Sequence, residues 1–574
     1  MPFEGNLATR HLTGYDPVPD RMLPNDDLDL QVVNLEIIRR FGLPVNRRHL
    51  STMWEYTQDG GPDEYGPARW NVSLRRYAPL SGYYCNKFYA GMGAAIRSEL
   101  WACLAPGDPA LAVRLAMEDA CSDHYADGME ACMFLAAIES AAFVESDRDR
   151  LIEIGLSYIE PDGRLARGIR DSIGYYEQTR DPYAARELLL EHYYVQNWTD
   201  VTINLCLIVI SWLASEGDFS KAICTAAGLG YDTDCTCATL ASILGIINPD
   251  AISLEWTAPI GDTLVLSCGI MGTHEPETIG GFCDLVADTA VQVCEYYDAA
   301  VKLENAPALS VIPHWTEDCH AADGFDCTHE SMVACTPLTL RLIYPETVSL
   351  IPGRPDTYTL VLRNPAGTTL SGEVKLSLPD GWQVEPASAT FTLEPSAEMR
   401  VKLTITAAMM EKRRPRDNNL DLDFTVNGIS WRVSAGLPTA IPWLRENLLT
   451  GEVEQIEAHE VFQTVPAGRW CYRTAMKVNE FMQVRMGVMS QRPFTAKFNG
   501  KEVSSGDGSF YVPAFHRGRT AVNLSTDRLD GCWNYVEIIV EDGEPGELFF
   551  GLARQHSCGE WLIGVEYSLA PLLQ

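Results

Sequence analysis

The hydrophobic pattern changes period once, near residue 306, and a chain built that way needs a helical part followed by a sheet part. Before that point, apolar residues recur at intervals of three and four. Leu30, Val33, Leu35, Ile37, Ile38 and Phe41 form one such stripe, ended by Gly42 and Pro44. The same spacing runs through 93–103, 109–121, 128–144, 147–157, 161–180, 183–194, 202–215, 218–227, 236–247 and 281–303. Gly107-Asp108-Pro109 supplies an aspartate cap with proline in the first turn, and Pro161-Asp162 is expected to do the same before the next helix. The pattern predicts one all-α core of about ten helices.

After Ala306 the alternation is of period two. It is clear in Leu338-Thr339-Leu340-Arg341-Leu342, in Tyr358-Thr359-Leu360-Val361-Leu362 and in Val374-Lys375-Leu376-Ser377-Leu378. Turn residues interrupt it at Pro352-Gly353, Pro379-Asp380-Gly381 and Asn427-Gly428. Short strands at this spacing predict a β-sandwich. A second β-rich block starts near Thr450, with turns at Asn499-Gly500, Gly506-Asp507-Gly508 and Asp530-Gly531. Its aromatics (Trp470, Phe481, Phe494, Phe510, Tyr511, Trp533, Tyr535, Trp561) offer stacking faces to sugar rings where exposed, and core where buried. The expected organisation is a helical domain over 1–304, a linker over 305–336, an Ig-like sandwich over 337–446 and a jelly-roll-like sandwich over 447–574.

Charge and cysteine content narrow the partners. Of 574 residues, 44 are Lys or Arg and 78 are Asp or Glu, a formal net charge of −34. Such a surface repels nucleic-acid backbones and anionic membranes, so neither is an expected partner. The one compact basic run, 412–416, is expected to be a solvated loop. The 17 cysteines, an odd number, lie mostly in apolar runs and behave as small hydrophobes. No secretory leader is visible, and the apolar run 205–214 is too short to span a bilayer, so a cytoplasmic location is expected. Cys319-His320, Cys327 and His329 carry zinc-capable side chains, but without the spacing of a finger.

Two acidic segments carry the candidate chemistry. Asn25-Asp26-Asp27-Leu28-Asp29 opens the first helix, where a cap and first-turn acids suit the positive end of the helix dipole. Gly230-Tyr231-Asp232-Thr233-Asp234-Cys235-Thr236 opens a later helix, and capping explains one of its two aspartates but not both. Carboxylates from two such loops can build an oxygen-rich site for Mg²⁺, Mn²⁺ or Ca²⁺.

These segments resemble the ADP-ribosylglycohydrolase family, the group typified by the dinitrogenase-reductase-activating glycohydrolases. That family carries Thr-Asp-Asp-Thr early and Gly-Gly-Asp-Thr-Asp-Thr late. The chain is similar in Asn25-Asp26-Asp27-Leu28 and in Gly230-Tyr231-Asp232-Thr233-Asp234-Cys235, which runs on into Ala238-Thr239-Leu240-Ala241. Intervening stretches are similar too: Gly93-Ala94-Ala95-Ile96-Arg97, Pro106-Gly107-Asp108-Pro109, Glu118-Asp119-Ala120 before His124, and Asp162-Gly163-Arg164-Leu165-Ala166. The resemblance implies an all-helical bundle with a site for one or two divalent metal ions, Mg²⁺ first, held by Asn25, Asp26, Asp27, Asp232, Asp234 and Thr236. Asn25 stands in place of a ligating threonine. Cys235 stands in place of another, with Thr236 as its neighbouring substitute. Pro2-Phe3-Glu4-Gly5 resembles the end of the family's Gly-x-Pro-x-Glu segment, without the helix that precedes it there, and makes Glu4 a catalytic candidate beside Asp27.

The activity this implies is metal-dependent hydrolysis of the anomeric C1–N or C1–O bond of an ADP-ribosyl or related furanosyl substrate, a small molecule or glycoside. Arg97, His124 and Asn204 are candidate pocket residues. Two alternatives stand beside it: an O-glycosidase acting on an oligosaccharide or nucleoside-like conjugate, and a non-catalytic protein that binds ADP-ribose or sugar. The sequence gives no oligomeric state.

Overall fold

The computed structural model describes residues 8–57, 61, 63–303, 329–409, 414–478, 483–513, 520–526, 533–555 and 561–573. The chain divides into two compact units, Met1–Asp59 with Phe88–Trp315 and Gly60–Lys87 with Thr316–Gln574. The first is helical and the second is built on antiparallel sheets.

Side-chain caps start most helices of the first unit, and they account for several of its aspartates. Asn25, Asp108, Asp147, Asp181, Asp200 and Asp218 each accept a first-turn backbone N–H, at the heads of Asp26–Phe41, Pro109–Ala120, Arg148–Leu156, Pro182–Tyr193, Val201–Ser215 and Phe219–Gly228. Asp162 does not cap. The Gly163 N–H bonds to Glu160 O at 2.9 Å, and that turn leaves Gly163 as the N-cap of Arg164–Thr179. The core gathers Val33, Leu35, Ile37 and Ile38 of Asp26–Phe41 with Trp101, Leu115, Cys132 and Val293 from other helices. Val201–Ser215, which contains the long apolar run, is buried almost throughout its length. Among the described residues, no helix is long and apolar enough to cross a membrane.

The second unit holds two sandwiches. Glu330–Ala334, Thr339–Ile343, Pro355–Arg363, Glu398–Thr406 and Gln383–Glu385 form one sheet, in that order. Ile429–Pro438, Asp417–Val426, Leu370–Ser377 and Ser388–Leu393 form its partner, and Leu342, Leu360 and Ile405 of the first share one core with Val374, Leu422 and Phe424 of the second. The Asn427-Gly428 turn joins a hairpin with positive φ at both residues (47° and 84°), as a two-residue loop demands. The second sandwich sets an eight-stranded sheet around Trp470–Val478 against a four-stranded one around Gly546–Arg554. Trp470, Phe494 and Trp561 are buried in the unit and offer no face to a sugar, whereas Tyr535 is exposed; Phe481 lies outside the described residues.

Three stretches differ from the sequence reading. Residues 60–87, read as part of the helical domain, belong with the sheets: the short helices Tyr65–Ser73 and Leu80–Tyr83 place Trp70, Leu80 and Tyr84 in the core of the first sandwich. Glu330–Ala334, inside the expected linker, is a strand buried on both faces, so it shows no alternation. Arg416, expected in a solvated loop, is buried and donates to Thr439 O at 3.2 Å and to Tyr84 Oη at 3.3 Å. Of the zinc-capable group, Cys319, His320 and Cys327 lie outside the described residues, and His329 packs on the Tyr83 ring at 4.6 Å.

Candidate metal centre

The two acidic segments meet. Asn25 Oδ1 accepts the Asp27 N–H at 2.8 Å, which fixes the amide and turns its NH₂ outward to donate to Asp234 Oδ2 at 3.1 Å, 209 positions along the chain. Its oxygen carries the cap bond and keeps a second lone pair. On the opposite side, Gly230 and Tyr231 both adopt left-handed backbone (φ 77° and 66°). Two such residues in succession reverse the chain tightly enough to present Asp232 and Asp234 around the head of Thr233–Ile247. The Asp232 carboxylate does not cap that helix.

Asn204, expected in the substrate pocket, has a different place. It is fully buried, its NH₂ donates to Trp198 O and Asp200 O at 2.9 Å each, and its Oδ1 accepts the Asp232 N–H at 3.2 Å. It therefore braces the turn that aims the second acidic segment. Arg97 is also fully buried; it donates to Asp119 at 2.6 Å, to both oxygens of Asp123 at 2.8 and 3.0 Å, and to Gly93 O at 2.7 Å. Buried His124 lies 2.8 Å from Asp123 Oδ1. These two residues form a buried network with Asp119 and Asp123. Thr236 is buried and turns its hydroxyl back to Thr233 O at 3.4 Å. Asp26 is exposed at the rim. Glu4 lies outside the described residues.

One oxygen each of Asp27 and Asp234 and the Cys235 Sγ lie within 4.8 Å of one another. Asp27 is only 6% exposed, and its Oδ1 and Asp234 Oδ1 are buried without a hydrogen-bond partner among the described residues. Burial, then Asp26, Asp234, Glu99 and Asp232 in turn, push the Asp27 carboxyl well above the usual carboxylate range. Burial and the same aspartates raise the Cys235 thiol. Like charges held together with orphaned oxygens are the arrangement that a cation relieves. The residues present therefore fit a divalent ion, with Asp27 and Asp234 as its anchors.

The sequence reading missed two acids: Glu99 on Ser98–Leu104, whose charge acts on Asp27, and Glu139 on Asp127–Ala142, whose charge acts on Glu99. Each sits in an apolar helix, where a lone acid reads as a solvent-facing residue. Gln31, one turn beyond Asp27, donates to Glu99 Oε2 at 3.2 Å. Burial and then Glu139 push Glu99 well above its ordinary value, and burial pushes Glu139 up against a smaller pull from the Ser98 hydroxyl. The folded state thus retains a proton that the unfolded chain has already lost once the pH exceeds the ordinary glutamate value. Stability then falls as pH rises through that window. Glu139→Gln is expected to match wild type near pH 5 and to exceed it at pH 8 by about 1–3 kcal/mol. Urea unfolding at the two pH values checks this; a gap that does not widen with pH contradicts it.

Comparison with known proteins adds the family. A solved structure titled "ADP-ribosylglycohydrolase-related protein complex" is similar at 16% identity and TM-score 0.25, over 41% of this chain and 90% of that one. An α-L-rhamnosidase from Aspergillus terreus (12% identity, TM-score 0.14, 40% of this chain and 29% of that one) and the Pleurotus ostreatus lectin (11% identity, TM-score 0.12, 36% and 72%) are also similar. At these scores the structural likenesses carry no argument. A search among curated proteins gives no match. The profile of the NPCBM-associated NEW3 domain of alpha-galactosidase matches residues 350–409, within the first sandwich. The ADP-ribosylglycohydrolase profile matches residues 1–287, half of the chain and all of the segments that meet at the acidic cluster, and the chain belongs to that family.

Proposed function

We propose that the chain is a divalent-metal-dependent glycohydrolase that cleaves the anomeric C1–N or C1–O bond of an ADP-ribosyl or related furanosyl substrate. The observation that carries this reading is the meeting of Asp27 and Asp234, each with a buried, unpartnered oxygen, in a chain of this family. Asp27 and Asp234 would hold the ion, with Asp232 and Asp26 beside them; the family resemblance implies Mg²⁺. When bound, a divalent ion supplies Lewis acidity toward ribose hydroxyls and toward a water.

The chain's own residues do the rest. The negative charge of Asp26, Asp27, Asp232 and Asp234 favours the positive charge that builds on the ring oxygen and C1 as the bond to the leaving group lengthens. Asn25, fixed by its cap, holds Asp234 in place, and Asn204 holds the turn behind Asp232. Glu4 is assigned the proton of the attacking water, on the strength of its place in the family's segment. A second reading, a protein that binds the ligand without cleaving it, draws on the Asn25 and Cys235 replacements.

Release of free ADP-ribose from an ADP-ribosylated peptide, followed chromatographically with a furanoside panel in parallel, separates the two. Turnover that needs a divalent cation and stops with EDTA supports the enzyme. A ligand recovered intact after long incubation with metal-loaded protein overturns it in favour of binding.

A further inference from the structure

Cys235 makes the centre unlike one lined by oxygen alone. Several buried thiols of this chain face backbone carbonyls: Cys121 faces Glu118 O, Cys132 faces Ala116 O, Cys237 faces Ile223 O and Cys294 faces Leu104 O. The Cys235 Sγ instead lies 4.0 Å from Asp27 Oδ2, across the chain from its own helix. It joins Asp27 and Asp234 in the one trio of convergent donor atoms found among the described residues. Asp27, more than nine-tenths buried, leaves its other oxygen unpartnered among the described residues. The neighbouring hydroxyl of Thr236 is turned away to Thr233 O.

On the reading that this cluster is the metal centre, we infer that Asp27, Asp234 and Cys235 form a mixed carboxylate–thiolate site that selects a borderline dication such as Zn²⁺, Co²⁺ or Fe²⁺ over Mg²⁺ and Ca²⁺. Mg²⁺ demands hard oxygen donors in octahedral array and gives up water reluctantly, whereas Zn²⁺ and Co²⁺ accept sulfur and oxygen together. A tetrahedral ion with a metal–oxygen bond of about 2.0 Å and a metal–sulfur bond of about 2.3 Å wants its two donors about 3.5 Å apart. The observed 4.0 Å closes to that with a small side-chain adjustment. Binding breaks the Sγ–H bond and forms an Sγ–metal bond, the proton leaving to buffer.

The test uses the full chain, stripped with chelator and titrated with Co²⁺, and Cys235→Thr and Cys235→Ser treated the same way. Wild type is expected to show a near-ultraviolet sulfur-to-cobalt charge-transfer band that both variants lose. Thermal melts are expected to show wild type binding Zn²⁺ or Co²⁺ at least about tenfold more tightly than Mg²⁺, with that preference reduced in whichever variant folds. Stabilisation by Co²⁺ without the band, equal in wild type and variants, overturns the thiolate ligand and leaves the metal-dependent reading standing. No stabilisation by any dication, in any of the proteins, overturns both.

Discussion

Asp27→Asn is expected to raise the stability of the metal-free protein while removing both the proposed response to divalent cations and the proposed glycohydrolase activity. The two signs come from one cause. Asp27 is buried, its Oδ1 has no partner among the described residues, and Asp26, Asp234, Glu99 and Asp232 all oppose its charge. A neutral isostere relieves that repulsion, which amounts to about 1–3 kcal/mol for an unsatisfied buried group. On the proposed function, the same change also removes an anchor of the cation. A ligand at a hundredfold excess over its Kd stabilises a fold by ~2.7 kcal/mol, and that increment should vanish. Loss of transition-state stabilisation of about 3–4 kcal/mol lowers turnover by two to three orders of magnitude. Melts in EDTA and in excess cation, beside the release assay, give all three values. An Asp27→Asn protein less stable than wild type in EDTA, and still stabilised by cation, would sink this account.

Arg97→Met is expected to cost about 3–5 kcal/mol at neutral pH, the usual result of breaking a buried ion pair from one side. Arg97 has no exposed surface, and its removal strands two buried carboxylates. One is Asp119, which also accepts the Trp101 indole N–H at 3.1 Å; the other is Asp123. Burial would lift the Asp123 carboxyl, but Arg97 and His124 outweigh it and hold it down at about 2. A depressed carboxyl contributes stability that is complete above its unfolded value near 4 and is lost as pH falls toward 2. In the variant both carboxyls are driven to protonate, so its deficit should shrink between pH 7 and pH 4.5. Arg97→Lys keeps the charge but not the planar fork, and should fall between. Urea unfolding at both pH values measures this. A deficit under 1 kcal/mol, or one unchanged by acid, would mean the network does not hold the core.

The sequence conveyed local features well and long-range ones poorly. Helices announced themselves where an aspartate met a period of 3.6, as at Asp108, Asp147 and Asp218, because both signals are local. Hairpins did so at Asn427-Gly428 and Asn499-Gly500 for the same reason. Tyr65–Ser73 was not predicted, since a nine-residue helix with Gly66 and Pro67 takes its stability from a sheet formed far along the chain. At the candidate site, the aspartate segments were legible because a pair of acids exceeds what a cap needs. Arg97, His124 and Asn204 are harder to read, because each is a single polar side chain. A lone polar residue in an apolar run looks the same whether it faces a pocket or closes a buried network. Only the partners distinguish the cases, and for Arg97 they are Asp119 and Asp123.

The placement of residues 60–87 with the sheets has a consequence in time. A ribosome extends a chain at about 5–20 residues per second. Tyr84 therefore emerges roughly 10–50 seconds before Thr339–Ile343, the first strand pair's second member and part of the core that Tyr84 enters. Through that interval Trp70, Leu80 and Tyr84 have no native cover, although the helices on both sides of them in sequence can already pack. The nascent chain thus carries an apolar segment that must be shielded, by a chaperone or by temporary contacts, until the sheets are made. A gene fragment that stops at the end of the helices would leave that debt unsettled in every molecule.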